Sequence, residues 1–223
     1  MTYAQPRSLG ELIGVGDRRY GVIYADPPWL FRCRSAKGTG RSAVSHYDCL
    51  EYGELAALPV ADVAAKDCVL LLWVPDPMFP RGINLIEAWG FEYKTVGFYW
   101  VKLNSLAKHA ANYFTGMGYW TRANPEICLL ATRGRPLRLA KDVPRLVVEP
   151  RRQHSRKPPI VRERIERLVG GPYLELFARE TKPGWDCWGD QVGLFDRGPV
   201  PTRRQPSRLT GNAHPKMFRW SAS

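Results

Sequence analysis

The chain has 223 residues, of which 44% are hydrophobic and 24% are charged, and this predicts one sizeable core in a single globular domain. The longest uncharged apolar run, at 68–74, is far shorter than the roughly 20 residues that cross a bilayer, and the N-terminal residues lack the pattern of a secretory signal. A membrane protein is therefore excluded, a cytoplasmic protein is expected, and the formal net charge of +12 favours an acidic partner.

The predicted elements alternate between strands and helices along the chain. Short apolar segments bounded by Gly, Pro or polar residues predict strands at 20–25, 68–74, 95–101, 126–132 and 173–178. Apolar residues at helical spacing, with flanking prolines and glycines, predict helices at 52–58, 81–88 and 158–169. This order predicts an α/β fold with a mostly parallel sheet and helices on both faces, in which ligands bind outside the carboxyl ends of the strands.

Two segments do not have the pattern of a regular element. Residues 31–43 are polar, basic and glycine-containing, which predicts a mobile loop that closes over a substrate. The chain beyond Asp196 contains prolines and basic residues but no acid. We therefore divide the sequence into a domain at 1–196 and a basic tail at 197–223.

Positive charge is also concentrated within the domain. Two acids, Asp142 and Glu149, stand among nine basic residues: Arg133, Arg135, Arg138, Lys141, Arg145, Arg151, Arg152, Arg156 and Lys157. Such clusters attract phosphate backbones, so nucleic acid is the predicted partner, and the alternative is a solvated face.

Metal and disulfide chemistry are not expected. The five cysteines and four histidines are scattered, without the close spacing of a zinc site or a disulfide framework. The sequence predicts reduced thiols and no metal.

The stretch "YGVIYADPPWLF" joins a buried strand to an acid, two prolines and a tryptophan. Asp26 follows the strand directly, at its carboxyl end. Pro27 and Pro28 fix φ and lack an N–H, so the carbonyl groups of Asp26 and Pro27 are expected to face a ligand without competing local donors. Trp29 is expected to offer a flat face on which a nucleobase stacks. The alternative is a strand-terminating turn with a buried tryptophan.

Two acceptors beside a stacking ring suit the exocyclic amine of adenine. That nitrogen is a poor nucleophile because its lone pair is delocalised into the ring. The Asp26 carboxylate and the Pro27 carbonyl, by accepting its two hydrogens, would free the lone pair for in-line attack on the methyl group of a sulfonium. In duplex DNA the base must first be flipped out of the stack.

Several segments together resemble one known family. They are "DPPW", "LLLWVPDP", "GFYWVK", "GMGYWTRANPEICLLATRG", "RRQHSRKP" and "YLELFARETKPGWDCWGDQV", within about residues 20–191. The resemblance is to the adenine N6-methyltransferases with the motif Asp-Pro-Pro-Trp, which include the catalytic subunit of the eukaryotic messenger-RNA adenosine methyltransferase and bacterial and phage DNA adenine methyltransferases. It implies a Rossmann-like methyltransferase fold, S-adenosylmethionine as cofactor, and a catalytic motif that precedes the main cofactor motif.

The resemblance also implies roles for individual residues. The catalytic residues would be Asp26, Pro27, Pro28 and Trp29. The cofactor contacts would be Asp26, Pro28, Lys157, Glu175, Phe177, Arg179, Thr181, Asp190 and Gln191. The substrate contacts would be Trp29, Tyr119, Arg122, Glu126, Arg151, Arg152 and Ser155. The sequence departs from some relatives at Thr181 and Lys182, which replace His-Asn, and at Asp190, which replaces Asn.

Several of these residues have a purely structural alternative. Lys157 could be a solvated cation, Phe177 plain core, and Arg179 a surface partner of Glu175. Arg122 and Glu126 could form an ion pair that only holds the substrate wall, and Tyr119 and Trp120 could be packing residues.

The sequence therefore predicts an S-adenosylmethionine-dependent adenine N6-methyltransferase of a bacterial or phage-infected cell, with DNA as substrate and a homodimer as a possible assembly. DNA is preferred because a compact single domain is more similar to the bacterial and phage members. Short or relaxed sequence specificity is expected, since the sequence contains no separate recognition domain. The alternatives are an RNA adenosine methyltransferase and a non-catalytic relative that binds nucleic acid.

Overall fold

The computed structural model describes residues 19–30, 50–104, 112–152 and 156–196. The predicted loop at 31–43 and the tail at 197–223 lie outside this part of the chain. In chain order the elements are β1 (Tyr20–Ala25), α1 (Tyr52–Ala56), α2 (Val60–Val63), β2 (Ala64–Val74), a 3-10 turn (Asp76–Met78), α3 (Phe79–Ala88), β3 (Glu92–Leu103), β4 (Glu126–Arg133), β5 (Leu146–Pro150), α4 (Ile160–Leu168), β6 (Tyr173–Leu176) and β7 (Trp185–Trp188). No helix in the described ranges is long and apolar enough to cross a membrane.

The seven strands form one sheet in the order β5-β3-β4-β2-β1-β6-β7. All strands except β4 run in the same direction, and β4 is antiparallel to both of its neighbours. The predicted mostly parallel sheet is confirmed. We call the edge at which the six parallel strands end, and β4 begins, the carboxyl edge, and the opposite one the amino edge.

Helices cover both faces of the sheet, as predicted. Alternate residues of β1 face opposite sides, so Ile23 joins one hydrophobic core and Tyr24 the other. The first core lies beneath α1, α2 and α3, and the second lies beneath α4, whose Val161 and Ile165 are fully buried. Since β1 is central and buried on both sides, the residues that follow it are held on a rigid base.

Several details differ from the sequence prediction, among them the ends of two elements and two strands that were not predicted. The predicted helix at 52–58 ends at Ala56, and a separate α2 begins after Pro59 because the residue before a proline is excluded from helical conformation. Strand β6 ends at Leu176 because Phe177 has a φ of 61°. Strand β5 was not predicted, because its apolar run is only three residues long and is followed by Glu149 and Pro150. Strand β7 was not predicted either, since four residues are too few for a clear period.

Candidate active site

Asp26 lies at the carboxyl edge, at the end of the central strand β1. Strands β2 and β6 flank β1 on opposite sides. The connection from β1 to β2 runs toward the β5 side of the sheet, whereas the connection from β5 to β6 runs toward the β7 side. The carboxyl ends of strands at such a reversal are where open α/β sheets bind ligands. The position predicted for Asp26 is therefore the position found.

Lys157 connects Asp26 to a second carboxylate. Its Nζ lies 2.6 Å from Oδ2 of Asp26 and 3.3 Å from Oε2 of Glu126, and Lys102 Nζ lies 2.7 Å from Oε1 of Glu126. Glu126 reaches this cluster because β4 is antiparallel, so the strand's first residue stands where its neighbours end. The ring of Trp73 lies 5.2 Å from the same ammonium, a cation–π contact. Lys157 is thus not a solvated cation.

The charges of this cluster stabilise one another. Burial opposes the charged form of Lys157, yet Asp26 and Glu126 raise its pKa above the ordinary value. Burial would also raise the pKa of Glu126, but the ammonium groups of Lys157 and Lys102 lower it to about 2. Lys157 and Glu126 therefore each stabilise the charged form of the other.

Trp29 does not offer the stacking face that we predicted from the sequence. Only 4% of its surface is exposed, and it packs in the first core with its indole N–H donating to the Trp73 carbonyl at 3.0 Å. Burial of an indole is favourable once its N–H has a partner, and the Trp73 carbonyl supplies one. The alternative of a strand-terminating turn with a buried tryptophan describes this residue better.

The Pro27 carbonyl also differs from the expectation. It accepts a hydrogen bond from the backbone N–H of Trp29 at 2.9 Å, so a local donor does compete for it. The Pro28 carbonyl accepts from Leu50 N–H at 2.9 Å, which holds the motif against the chain before α1. A carbonyl oxygen has two lone pairs, so Pro27 retains capacity for a second donor.

A pocket opens beside Asp26 at the ends of β1 and β6. The empty space between its walls is about 380 Å³, including the part that is open to solvent. Five predicted site residues line it: Asp26, Lys157, Glu175, Phe177 and Arg179. It is also lined by Tyr24, Arg156, Pro158, Arg162, Glu180 and Phe195, none of which was predicted as a cofactor contact.

Glu175 is the most perturbed acid of this pocket. Burial raises its pKa to about 7, although Arg162 opposes the shift from 3.0 Å. Glu175 therefore pairs with Arg162, not with Arg179. Arg162 also contacts Glu180, which pairs in turn with Arg156. This chain of ion pairs was not foreseen because α4 brings Arg162 to the pocket through tertiary packing.

Phe195 lies at the mouth of the pocket between two arginines. The guanidinium groups of Arg156 and Arg179 lie 4.9 Å and 5.1 Å from its ring. Its N–H donates to the Arg179 carbonyl at 3.0 Å. A planar side chain and two cations therefore border the entrance.

The remaining predicted cofactor residues lie around the pocket without lining it. Thr181 donates from its backbone N–H and its hydroxyl to Asp196, at 2.8 Å and 2.9 Å. Asp190 and Gln191 follow β7 at the carboxyl edge, in the turn that leads to Phe195. Their roles stay predictions.

The predicted substrate residues are distributed along the same edge. Tyr119 and Arg122 are exposed on the connection between β3 and β4, and Glu126 begins β4. Arg151 and Arg152 are exposed just after β5, with the Arg151 guanidinium 3.7 Å from the ring of Phe114. Ser155 lies outside the described residues. The ionic partners found for Glu126 are Lys102 and Lys157, so the suggested pair with Arg122 is not the one formed.

Tyr119 and Trp120 are not packing residues. Their exposed fractions are 64% and 93%, and Trp120 is the more exposed of the two. No substrate role was predicted for Trp120, because an aromatic residue in a single sequence is more often core than surface.

The basic cluster at 133–157 is not one surface. Strand β5 runs from the amino edge to the carboxyl edge and divides it. Arg133, Arg135, Arg138, Lys141 and Arg145 belong to the amino edge, and Arg151, Arg152, Arg156 and Lys157 to the carboxyl edge. Only the second group lies on the same edge of the sheet as Asp26.

Comparison with known proteins defines the class to which this fold and site belong. Residues 20–191 match the MT-A70 family model, which spans most of the chain and the whole of the described sheet. The chain belongs to the MT-A70 family of methyltransferases.

Individual relatives come from bacteria and eukaryotes. The chain is 34% identical to the type II methyltransferase M.MunI of a Mycoplasma species, over 78% of each chain. It is 29% identical to the mouse N(6)-adenine-specific methyltransferase METTL4 over 80% of this chain and 38% of the relative. It is also 29% identical to the human N(6)-adenosine-methyltransferase catalytic subunit METTL3, over 78% of this chain and 28% of the relative. The chain therefore spans about a third of these two eukaryotic proteins.

The pocket residues fit S-adenosylmethionine, the cofactor that the family implies. The cofactor carries a sulfonium, an ammonium and a carboxylate together with a ribose and a planar base. The pocket offers carboxylates at Asp26 and Glu175, cations at Lys157 and Arg179, and an aromatic ring at Phe177. An acid near the carboxyl end of a parallel strand is also the kind of group that holds ribose hydroxyls in related nucleotide folds, which suits Glu175 in β6.

Proposed function

We propose that this protein transfers a methyl group from S-adenosylmethionine to the N6 amine of adenine in DNA. The observation that carries the proposal is the placement of Asp26, held by Lys157 at the carboxyl edge, beside a pocket whose charges and ring suit the cofactor. When bound, S-adenosylmethionine supplies the electrophilic methyl group. Asp26, Lys157, Glu175, Phe177 and Arg179 would hold it or border it.

The carboxylate of Asp26 has one oxygen directed to Lys157 and a second for the substrate. Lys157 donates to Oδ2, which fixes the orientation of the group, so we assign the contact with the adenine amine to Oδ1. The Pro27 carbonyl, with its remaining lone pair, accepts the second amine hydrogen. Two acceptors placed in advance favour a pyramidal nitrogen with its lone pair free, and Asp26 can take the proton that the amine releases.

Trp29 and Trp73 act as positioning residues in this scheme. The indole of Trp29 anchors the motif to β2 through the Trp73 carbonyl, and the Trp73 ring lies against Lys157. Both are buried, so they hold the acceptors in place and do not touch the base. A rigid support of this kind is what catalysis by positioning requires.

DNA is the proposed substrate because of the relatives' lengths and names. The bacterial type II methyltransferase matches this chain over 78% of its own length, whereas the eukaryotic adenosine methyltransferase subunit is matched over 28%. Exposed arginines at the carboxyl edge, Arg122, Arg151 and Arg152, could contact phosphates of either nucleic acid. RNA is therefore the second candidate.

A transfer assay with labelled methyl groups tests both candidates. Matched DNA and RNA oligonucleotides are offered in one competition, and we expect the label in DNA, on adenine N6. Asp26→Ala should abolish transfer, and Asp142→Asn, which alters an exposed acid of the amino edge, should leave it unchanged. Preferential labelling of RNA would favour the second candidate, and undiminished activity of Asp26→Ala would contradict the mechanism.

A non-catalytic nucleic-acid-binding protein would give a different result. It would bind oligonucleotides while calorimetry detects no binding of S-adenosylmethionine. The intact cluster of Asp26 and Lys157 supports catalysis over this alternative.

We further infer short or relaxed sequence specificity, a cytoplasmic location and a possible homodimer. The described residues form a single sheet with its helices, which supports the first inference. A long, strict motif around the methylated adenines in sequenced DNA would contradict the short or relaxed specificity. Sedimentation of the purified chain tests the homodimer.

A further inference from the structure

Trp120 is an exposed aromatic side chain that neither the core nor the pocket explains. It has 93% of its surface in contact with solvent, the highest value among the exposed large hydrophobic side chains in the described ranges. An exposed Trp is costly in water and is enriched at sites that bind partners. The outward position of this side chain therefore needs a cause other than packing.

The backbone presents Trp120 at the centre of a tight turn. Its φ is 68°, a conformation that is an outlier for a bulky residue. The Thr121 N–H donates to the Tyr119 carbonyl at 2.9 Å, which closes a three-residue turn of the rare, strained kind. Gly118 permits the turn, since a Cβ there would lie 2.1 Å from the Thr121 oxygen. Folding alone gives no reason to place a tryptophan at such a point.

The base of this loop is firmly anchored. Gly116 N–H donates to the Ala123 carbonyl at 2.7 Å. The Asn124 side chain accepts from Lys102 N–H at 2.9 Å and donates to the Lys102 carbonyl at 2.8 Å and to the Phe114 carbonyl. The tip therefore projects from a fixed support.

The loop lies at the carboxyl edge, within reach of the site. It joins the end of β3 to the start of β4, and Glu126, six residues after Trp120, contacts Lys157 beside Asp26. Six residues span at most about 22 Å, so the Cα atom of Trp120 lies within that distance of the Cα atom of Glu126.

Cations lie on the same loop as the exposed ring and at its base. Arg122 is exposed two residues further along, and Arg151 is stacked on Phe114 at the base of the loop at 3.7 Å. An apolar plane on a loop that also carries guanidinium groups suits a partner with both stacked bases and phosphates. This charge pattern favours nucleic acid over an apolar protein surface as the occupant.

We propose that Trp120 inserts into the base stack of duplex DNA beside the target adenine and fills the space that the extruded base leaves. This rests on the proposed function, because a base must leave the stack before Asp26 can reach its amine. Tyr119, edge-to-face against Trp120 at 6.5 Å, supports the ring. Trp120 is thus a positioning residue for duplex substrate and has no part in methyl transfer itself.

The test compares duplex with single-stranded DNA of the same sequence, since a single strand needs no extrusion. Trp120→Ala should lower methylation of the duplex by about tenfold to a hundredfold, the range expected when one base no longer stacks on an aromatic ring. Methylation of the single strand should change less than about twofold. Trp120→Phe should retain much of the duplex activity, because smaller apolar wedges also insert. Leu137→Ala, which removes another exposed apolar side chain at the amino edge, is the matched control and should have no effect.

A second measurement needs no activity. Plasmid relaxed by a topoisomerase in the presence of wild-type protein should have a lower linking number than plasmid relaxed with Trp120→Ala, because an inserted ring unwinds the duplex. The proposed insertion would be contradicted if Trp120→Ala lowered methylation of duplex and single-stranded DNA equally. It would also be contradicted if plasmid relaxed with wild-type protein and with Trp120→Ala had equal linking numbers. If wild-type protein methylates neither form, the proposed function fails, and the linking number alone decides whether Trp120 inserts.

Discussion

The two edges of the sheet are built from the same kinds of residue but differ in how charge is arranged. At the carboxyl edge Lys157, Asp26 and Glu126 are tied together with less than a third of each side chain exposed. At the amino edge Arg167 and Asp142 form an ion pair with 56% and 75% of their side chains exposed. Exposed pairs contribute little to stability, whereas a largely desolvated cluster is held only if its geometry is good. A partly buried pair also occurs at the amino edge, where Lys182 Nζ lies 2.6 Å from Glu166 Oε1 with 21% and 35% of the side chains exposed. What distinguishes the carboxyl edge is that one ammonium joins two carboxylates beside the pocket.

The largest expected effect comes from removing the central cation of the carboxyl edge. Lys157→Met leaves two partly buried carboxylates facing each other, so we expect the free energy of unfolding to fall by about 2–3 kcal/mol. Methyl transfer should fall by at least about a hundredfold, because Asp26 loses its fixed orientation. Denaturant unfolding and the labelled-methyl assay measure the two effects.

Lys141→Met is the matched control, since Lys141 is exposed at the amino edge. It should change neither quantity. Equal losses in the two variants would mean that the edges do not differ in the way proposed.

The second prediction concerns nucleic-acid affinity and its salt dependence. Replacing Arg151 and Arg152 with Ala should reduce the slope of log K against log salt by about 1.8, because each phosphate that an arginine no longer neutralises accounts for about 0.9 of the slope. The double replacement of Arg135 and Arg138, which are exposed at the amino edge, should leave the slope unchanged. Equal changes would indicate that DNA wraps around both edges.

The third prediction is a pH dependence of cofactor binding. The pKa of Glu175 is raised to about 7 from an ordinary 4.5, chiefly by burial. If the ionised form holds the ribose, the affinity for S-adenosylmethionine should rise about tenfold between pH 6 and 8, following the ionised fraction. Calorimetry at several pH values measures this, and Glu175→Gln should bind weakly with a flat profile.

The raised pKa of Glu175 also makes the free energy of unfolding depend on pH. A carboxyl group whose pKa is higher in the folded than in the unfolded chain takes up protons on folding between pH 4.5 and 7. Its contribution is therefore greatest below pH 4.5 and is lost as the pH rises to 7. Glu126, whose pKa is lowered to about 2, behaves in the opposite way and loses its contribution as the pH falls below 4.5.

Sequence alone predicted the parts of the fold and site that depend on local pattern. Strand β1 was predicted with its observed bounds, and Asp26 was placed at its end, because a buried strand followed by prolines leaves little freedom. The fold class followed from the alternation of elements. Each of these features depends on residues close together in the chain.

Features that depend on distant partners were missed or mistaken. The direction of the Trp29 side chain is decided by a carbonyl 44 residues away, and no local pattern reveals it. Lys157 meets Asp26 across 131 residues, a contact that was not predicted, since the resemblance to a family suggested only a cofactor contact for Lys157. The division of the basic cluster depends on β5, an edge strand whose alternating exposure has no strong apolar signal.

The smallest expected effect is on kcat, and it distinguishes Trp29, which we propose positions the motif, from Trp89, which is buried but distant from it. Trp89 is fully buried at the end of α3, which leads toward the amino edge, and its indole donates to the Leu55 carbonyl at 2.9 Å. Trp29→Phe and Trp89→Phe each remove one buried hydrogen bond, so each should cost about 1 kcal/mol of stability. Only Trp29→Phe should also lower kcat, by a few-fold, with the KM for S-adenosylmethionine little changed, because Trp29 alone anchors the acceptors of the motif. A similar fall in kcat for both variants would mean that Trp29 contributes stability and nothing more, and the difference between the two edges would then rest on charge alone.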